Sequence, residues 1–197
     1  MAVGGRGWLR WGPPLVAALV AGTAAGALAV HLAPRPDELH TLGHVHDPSL
    51  AAMWRSYRGA VDATPPAGYV LSWVCARVLG TSLIAVRVPY VACWAAAAGG
   101  LAVATRRAGP FGALAAGLVP SASALVYLGA YARPYAPAFA ALTVAVVAWG
   151  ELGRPDVEGR ARRGWVVLLG LACGAAISIH YATTFAVLVL VAVAAVA

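Results

Sequence analysis

The sequence predicts an all-α integral membrane protein, and two observations carry that class. The first is composition: of 197 residues, 61% are apolar and only 11% charged, with a mean hydropathy of +0.79. A soluble domain has about a quarter of its residues charged and just under half apolar. The second is distribution, because the apolar residues gather into runs of spanning length separated by short basic stretches. A helix that crosses a bilayer needs about 20 mostly apolar residues. Other classes are excluded on the same grounds. Low charge excludes a disordered chain, and three cysteines scattered over a long apolar chain exclude a secreted disulfide scaffold. All 14 basic residues are arginine, dispersed between apolar runs rather than gathered on one surface, so no nucleic-acid partner is expected.

Residues 1–14, with Arg6, Arg10 and the Pro13-Pro14 pair, form a short N-terminal segment. A first helix is predicted over 15–32, which is 18 residues without a formal charge. Residues 33–87 form a long loop, and further helices are predicted over 88–104, 108–132 and 135–149 within a membrane region 88–197. The 135–149 helix is short, but Tyr135 and Trp149 border it as interfacial aromatics do. Residues 164–197 hold no formal charge with histidine neutral, and at about 1.5 Å per residue this run is too long for one crossing. It is therefore expected to split near His180-Tyr181, making about five spans or part-spans after the first. Nothing polar follows the final apolar run to anchor a helix end, so a chain that continues beyond Ala197 is expected.

Arginine placement sets the orientation. With a cytoplasmic N-terminus, the inside carries Arg6, Arg10, Arg106, Arg107, Arg154, Arg160, Arg162 and Arg163, clustered in the N-terminal segment and in loops 105–108 and 150–163. The outside carries Arg35, Arg55, Arg58, Arg77, Arg87 and Arg133. Short clustered loops are where the positive-inside rule counts most. The N-terminus is thus placed in the cytoplasm, the 33–87 loop outside, and the protein in the cell (plasma) membrane as a multi-pass chain. The 150–163 loop then presents a basic edge to anionic headgroups. A signal peptide cleaved near Ala27-Leu28-Ala29 is the rival reading of the N-terminal stretch. The apolar run exceeds a usual signal h-region and more spans follow, which favours a retained helix.

The chemistry is concentrated in the outer loop. It holds Asp37, Glu38, Asp47 and Asp62, and the Asp37-Glu38 pair comes five residues after the first helix, at headgroup depth. Carboxylates so close to a bilayer are costly unless paired, hydrated or functional. They read as a catalytic base or metal ligand for a lipid-borne substrate, or else as a polar stop at the helix exit. Asp47-Pro48 reads as an N-cap with proline at the first helical position. Leu50, Met53, Trp54 and Tyr57 then share one face, as in a helix lying on a membrane surface. After Thr64-Pro65-Pro66, residues 67–79 read as an interfacial or re-entrant piece. Treating them as a span would place the Arg106-Arg107 pair outside. His40, His44 and His46 offer a weaker zinc reading, since Gly43 and Asp47-Pro48 interrupt the helix that would align them. Cys75, Cys93 and Cys173 lie in apolar segments and read as small core residues.

The carrying motifs follow in order along the chain. They are Asp37-Glu38 after the first helix, Asp62-Ala63-Thr64-Pro65-Pro66-Ala67-Gly68-Tyr69, Ser82 to Pro89 leading into the second, Ala132-Arg133-Pro134-Tyr135 between the third and fourth, and His180-Tyr181 at the outer end of the fifth. Each is weak alone. In this order the chain, from about Leu15 onward, resembles the membrane glycosyltransferases of the GT-C class. It is most similar to the group that contains the family 39 protein mannosyltransferases, the lipid A aminoarabinose transferases and bacterial Rgt-like members.

The resemblance implies a GT-C-like multi-spanning helix bundle whose first extracytoplasmic loop is catalytic, of which this chain would be the N-terminal portion. It implies a hexosyl- or pentosyltransferase that moves a sugar from a polyprenyl-phosphate donor to a lipid, glycan or protein acceptor. It assigns the catalytic base or divalent-cation ligand (Mg²⁺ or Mn²⁺) to Asp37, with Glu38 as its partner in both roles. Arg133, Arg87, Tyr135 and His180 would bind the donor and its phosphate, because the planar fork of arginine pairs with phosphate oxygens. One departure stands out. Relatives commonly carry an acid two residues before this arginine, where the present chain has Tyr131, a poor ligand for Mg²⁺. The alternative functions are a non-enzymatic multi-pass protein, either a transporter fragment or an inactive truncated glycosyltransferase, and a zinc-dependent membrane hydrolase.

Overall fold

The computed structural model describes residues 5–59, 64–122 and 124–196, and all their regular structure is helical. Asp62 of the loop motif lies outside the described residues. Four helices are long and apolar enough to cross a membrane: Trp11–His31 within α1 (Gly5–His31), α5 (Leu83–Ala104), α8 (Tyr135–Leu152) and α9 (Gly159–Ile179). This is an all-α chain of membrane type.

Small residues let the helices approach closely. Ala17, Ala21, Ala25 and Ala29 repeat every four positions along α1 and form a stripe buried to 4% exposure or less. Gly22 on the same helix faces Ala95 of α5 so closely that an added methyl would stand 3.1 Å from its Cβ. In lipid, helices gain little by hiding apolar surface from one another. Close packing of small residues is what holds them together. Val86, Tyr90, Trp94 and Ala98 of α5 continue this core toward Val126, Ala132 and Ala136.

The stretch 108–132, an uncharged run expected to hold the third membrane helix, is not continuous in the structure. It is broken into α6 (Gly109–Leu118), a 3₁₀ turn Val119–Ser121 and a five-residue α7 (Val126–Ala130). Pro120 lacks the N–H that a continuing helix needs. A broken helix survives at membrane depth only where other protein groups satisfy its backbone. Here the Trp94 indole N–H donates to the Pro120 carbonyl at 3.1 Å, both groups being buried. Gly129 then passes over the same indole, where a Cβ would fall 2.2 Å from Trp94 Cγ.

The segment between the first two membrane-type helices forms three short helices, α2 (Pro36–Val45), α3 (Leu50–Gly59) and α4 (Ala67–Leu79). Two local expectations are corrected here. Ser49, not Asp47, caps α3, accepting from the Ala52 N–H at 3.1 Å; Asp47 instead offers its main-chain carbonyl to Trp73 Nε1 at 2.9 Å and to Arg77. Along α3, Met53 is fully buried while Leu50 and Trp54 stay exposed. The second membrane helix begins at Leu83, capped by Ser82, so Arg87 belongs to α5 rather than to the loop before it. The chain breaks again at His180 between α9 and α10 (Thr183–Val196).

Two ends of the bundle emerge. At one, Arg87 reaches the last carbonyls of α1, and Ala132 meets α2. At the other, Arg106 pairs with Glu151, Arg107 donates to the Gly150 carbonyl and Arg162 to that of Leu152.

Candidate functional site

The site is assembled around the first turn of α2. Pro36 opens that helix after Arg35, whose φ of −87° and ψ of 155° are extended. Proline at the first helical position has no N–H to leave orphaned, and the two acids that follow sit at the positive end of the helix dipole. Helical spacing then separates them. Glu38, Thr41 and Val45 turn inward, with Glu38 at 0% exposure, while the Asp37 side chain remains 48% exposed.

Glu38 meets Arg87 in a two-pronged ion pair. Arg87 Nε donates to Oε1 at 2.8 Å and a terminal nitrogen to Oε2 at 2.6 Å. The other terminal nitrogen donates to the carbonyls of Ala29 and Leu32 at 2.7 and 2.8 Å, and Ala33 accepts a weaker bond at 3.4 Å. Arginine has five N–H donors. All five are engaged, and Arg87 is 1% exposed, so it has no donor left for a phosphate. That corrects the phosphate-binding expectation for Arg87: it closes the C-terminal end of α1 and neutralises Glu38. The Glu38 carboxylate also accepts from the Ala132 amide at 2.7 Å. With three donors on it and no solvent access, it is not placed to receive a proton from a substrate or to ligate a cation.

Arg133 follows Ala132 and meets Asp37. Its terminal nitrogen donates to the Asp37 carbonyl at 2.7 Å and its Nε lies 3.4 Å from the Asp37 carboxylate. Arg133 also reaches Thr64 Oγ1 at 3.5 Å. Segments 35–38 and 131–133 thus run together: the Arg35 guanidinium lies 4.6 Å above the Tyr131 ring, Glu38 holds Ala132, and Asp37 faces Arg133. Arg87 lies 5.2 Å from the same ring. Tyr131 therefore presents its π system to two guanidinium groups. Arg35 is exposed. Sequence reasoning gave it no role, because its relation to Tyr131 spans nearly a hundred residues of chain.

Tyr135 and His180 are brought together at 5.0 Å between ring centroids, and His180 stacks on Tyr181 at 5.2 Å. Both edge a cavity of about 420 Å³ between α8 and α10, whose other walls are apolar apart from Thr183 and include Trp94, Leu128 and Phe139. Phe139, Leu142 and Ala186 also line a second groove of about 330 Å³, which continues to Trp149 and Val193. An apolar channel therefore follows α8 from Tyr135 to Trp149.

The histidines of the loop do not converge. His44 is buried, its ring edge-on to Tyr69 at 4.7 Å and its Nδ1 3.6 Å from Asp47, while His40 and His46 are exposed. Among the described residues no group of three or more His, Cys, Asp or Glu side chains is placed to hold a metal ion. For the cation implied by the resemblance, Asp37 would be the only member of the pair available, with the Arg133 charge beside it. That donor set does not fit a divalent cation. The three cysteines are unpaired, and burial pushes the Cys75 thiol above its ordinary range, away from reactivity.

Compared with protein-family models, with curated proteins and with solved structures, the chain matches none.

Proposed function

We propose that the chain acts as a membrane glycosyltransferase, moving a sugar from a polyprenyl-phosphate donor to a hydroxyl acceptor on the extracytoplasmic face. The observation that carries this reading is the meeting of Asp37 and Arg133, 96 positions apart, immediately before α8, whose first residue, Tyr135, edges the apolar cavity. A half-exposed carboxylate beside a guanidinium, two residues along the chain from a tyrosine that edges an apolar cavity, suits a nucleophile and a lipid phosphate.

In this reading Asp37 accepts the proton of the acceptor hydroxyl as its oxygen forms a bond to the anomeric carbon. The anomeric C–O bond to the lipid phosphate breaks, and its electron pair leaves with the phosphate. Attack opposite the leaving group inverts the anomeric centre. Arg133 offsets the charge gathering on the departing phosphate. Exposed Arg35 takes the second cationic place that Arg87 cannot fill, and the polyprenyl chain lies along α8. The N-terminus is assigned to the cytoplasm of a cell-membrane protein, on the arginine distribution.

The test is transfer from a labelled polyprenyl-phosphate sugar by the purified protein in lipid. A positioned general base contributes about 10²- to 10⁴-fold in rate, so Asp37→Asn is expected to lose transfer on that scale. Wild-type transfer by Asp37→Asn would remove the base assignment. No transfer by the wild type with any polyprenyl-phosphate sugar would remove the function.

A further inference from the structure

We infer that Glu38 is a positioning residue: through the Ala132 amide it sets the place of Arg133, and so the affinity for the donor phosphate. The inference rests on the glycosyltransferase reading and adds to it a residue that touches no substrate. Three observations support it. The Glu38 carboxylate is wholly buried and cannot itself meet a substrate. One of its oxygens receives both the Arg87 Nε at 2.8 Å and the Ala132 N–H at 2.7 Å. Arg87 in turn holds the end of α1 through Ala29 and Leu32.

The carboxylate therefore joins three parts of the chain: the end of α1, the start of α5 and the 131–133 segment. The last of these needs such a tie. Tyr131 is extended, with φ −95° and ψ 147°, and the segment lies between the end of α7 and the start of α8, outside any helical ladder. Its Ala132 amide finds its acceptor 94 positions away. Arg133 is the next residue, so a shift at Ala132 moves the guanidinium that faces Asp37. Small displacements of a charged group in a binding site have large effects on function, about a hundredfold for 1 Å.

Glu38→Gln keeps the shape of the side chain but removes its charge, weakening both bonds that define the register. The measurement compares wild type, Glu38→Gln, Arg133→Lys and the double variant. It reads the dissociation constant for polyprenyl phosphate alone, the donor KM and kcat per folded molecule, and the melting temperature. Glu38→Gln is expected to weaken polyprenyl-phosphate binding and raise donor KM by about tenfold. In the Arg133→Lys background the same change is expected to shift both by less than about twofold, because coupled residues are not additive. A purely structural Glu38 would lower the melting temperature and the folded fraction and leave both constants unchanged; that result overturns the inference. Effects that multiply in the double variant overturn it too.

Should Glu38→Gln fail to fold, Glu38→Asp keeps the charge and shortens the reach to Ala132. The same rise in the dissociation constant is expected there, and an unchanged constant overturns the inference. A wild type that binds and transfers, beside variants of unchanged affinity, removes only the positioning role. A wild type that neither binds polyprenyl phosphate nor transfers sugar removes the glycosyltransferase reading and this inference with it.

Discussion

Arg87 and Glu38, 49 positions apart, face each other with parallel bonds of 2.8 and 2.6 Å, each side chain at most 1% exposed. Two charges removed from water are stable together only when their remaining donors and acceptors are also satisfied. Here the carbonyls of Ala29, Leu32 and Ala33 and the amide of Ala132 do that.

Removing one partner leaves the other charged and buried. Glu38→Ala is expected to destabilise the protein by about 3–5 kcal/mol, read as a fall in the melting temperature of the purified protein in detergent. A loss below about 1 kcal/mol, the scale of an exposed pair, would contradict the buried geometry.

The broken helix depends on close contact between Gly129 and Trp94. A methyl at Gly129 has only 2.2 Å of room to Trp94 Cγ. Gly129→Ala is expected to cost about 1–3 kcal/mol by overpacking. Trp94→Leu in the same chain should recover part of that cost, because it removes the obstructing ring while sacrificing the bond to Pro120. Fully additive costs in a double-mutant cycle would place the strain elsewhere.

The channel along α8 makes its own prediction. Ala186 lines both halves of it, so Ala186→Trp fills the path where they join. Each buried methylene contributes about 0.8 kcal/mol, so excluding a few should raise KM for a long-chain donor at least about tenfold. A donor with a short, water-soluble lipid should be little affected. Equal effects on both donors would show that the chain does not lie there.

At the opposite end of the bundle, Arg154 bonds Asp156 at 2.6 and 3.0 Å and holds its carboxyl below the usual range. A depressed carboxyl stabilises the fold above its unfolded value, near 3.8, and loses that contribution as the pH falls through its lower folded value. The pair is exposed, so the effect is small and weakened by salt. The difference in melting temperature between wild type and Asp156→Asn is expected at neutral pH in low salt and should vanish in strong acid. A difference that grows in acid would reverse the sign.

Much of the architecture could be read along the chain. Runs of apolar residues mark α1, α5, α8 and α9, since helix and membrane both act on stretches of consecutive residues. The break in 108–132 is less legible, although a proline, Pro120, stands where it occurs. A proline reduces helical bonding without saying whether a neighbour will compensate, and the Trp94 indole that does so lies 26 positions away. The site divided similarly. Asp37, Glu38 and Arg133 stood out because ionisable residues are rare in such a chain. Their chemical meanings did not, because adjacent acids on a helix face different surroundings.

The sequence by itself determined that this is an all-helical chain of membrane type, and which charged residues lie near the helix ends. Those properties follow from local composition and from the length a helix needs to cross a bilayer. Tertiary structure alone decided that Arg87 and Glu38 serve each other rather than a ligand, that Asp37 stays half exposed, and that Arg35 lies over Tyr131. Burial, and the partner each donor finds, depend on segments that meet only when the helices pack. A single donor or acceptor has the same sequence signature whether it is satisfied by a neighbour or left for a substrate.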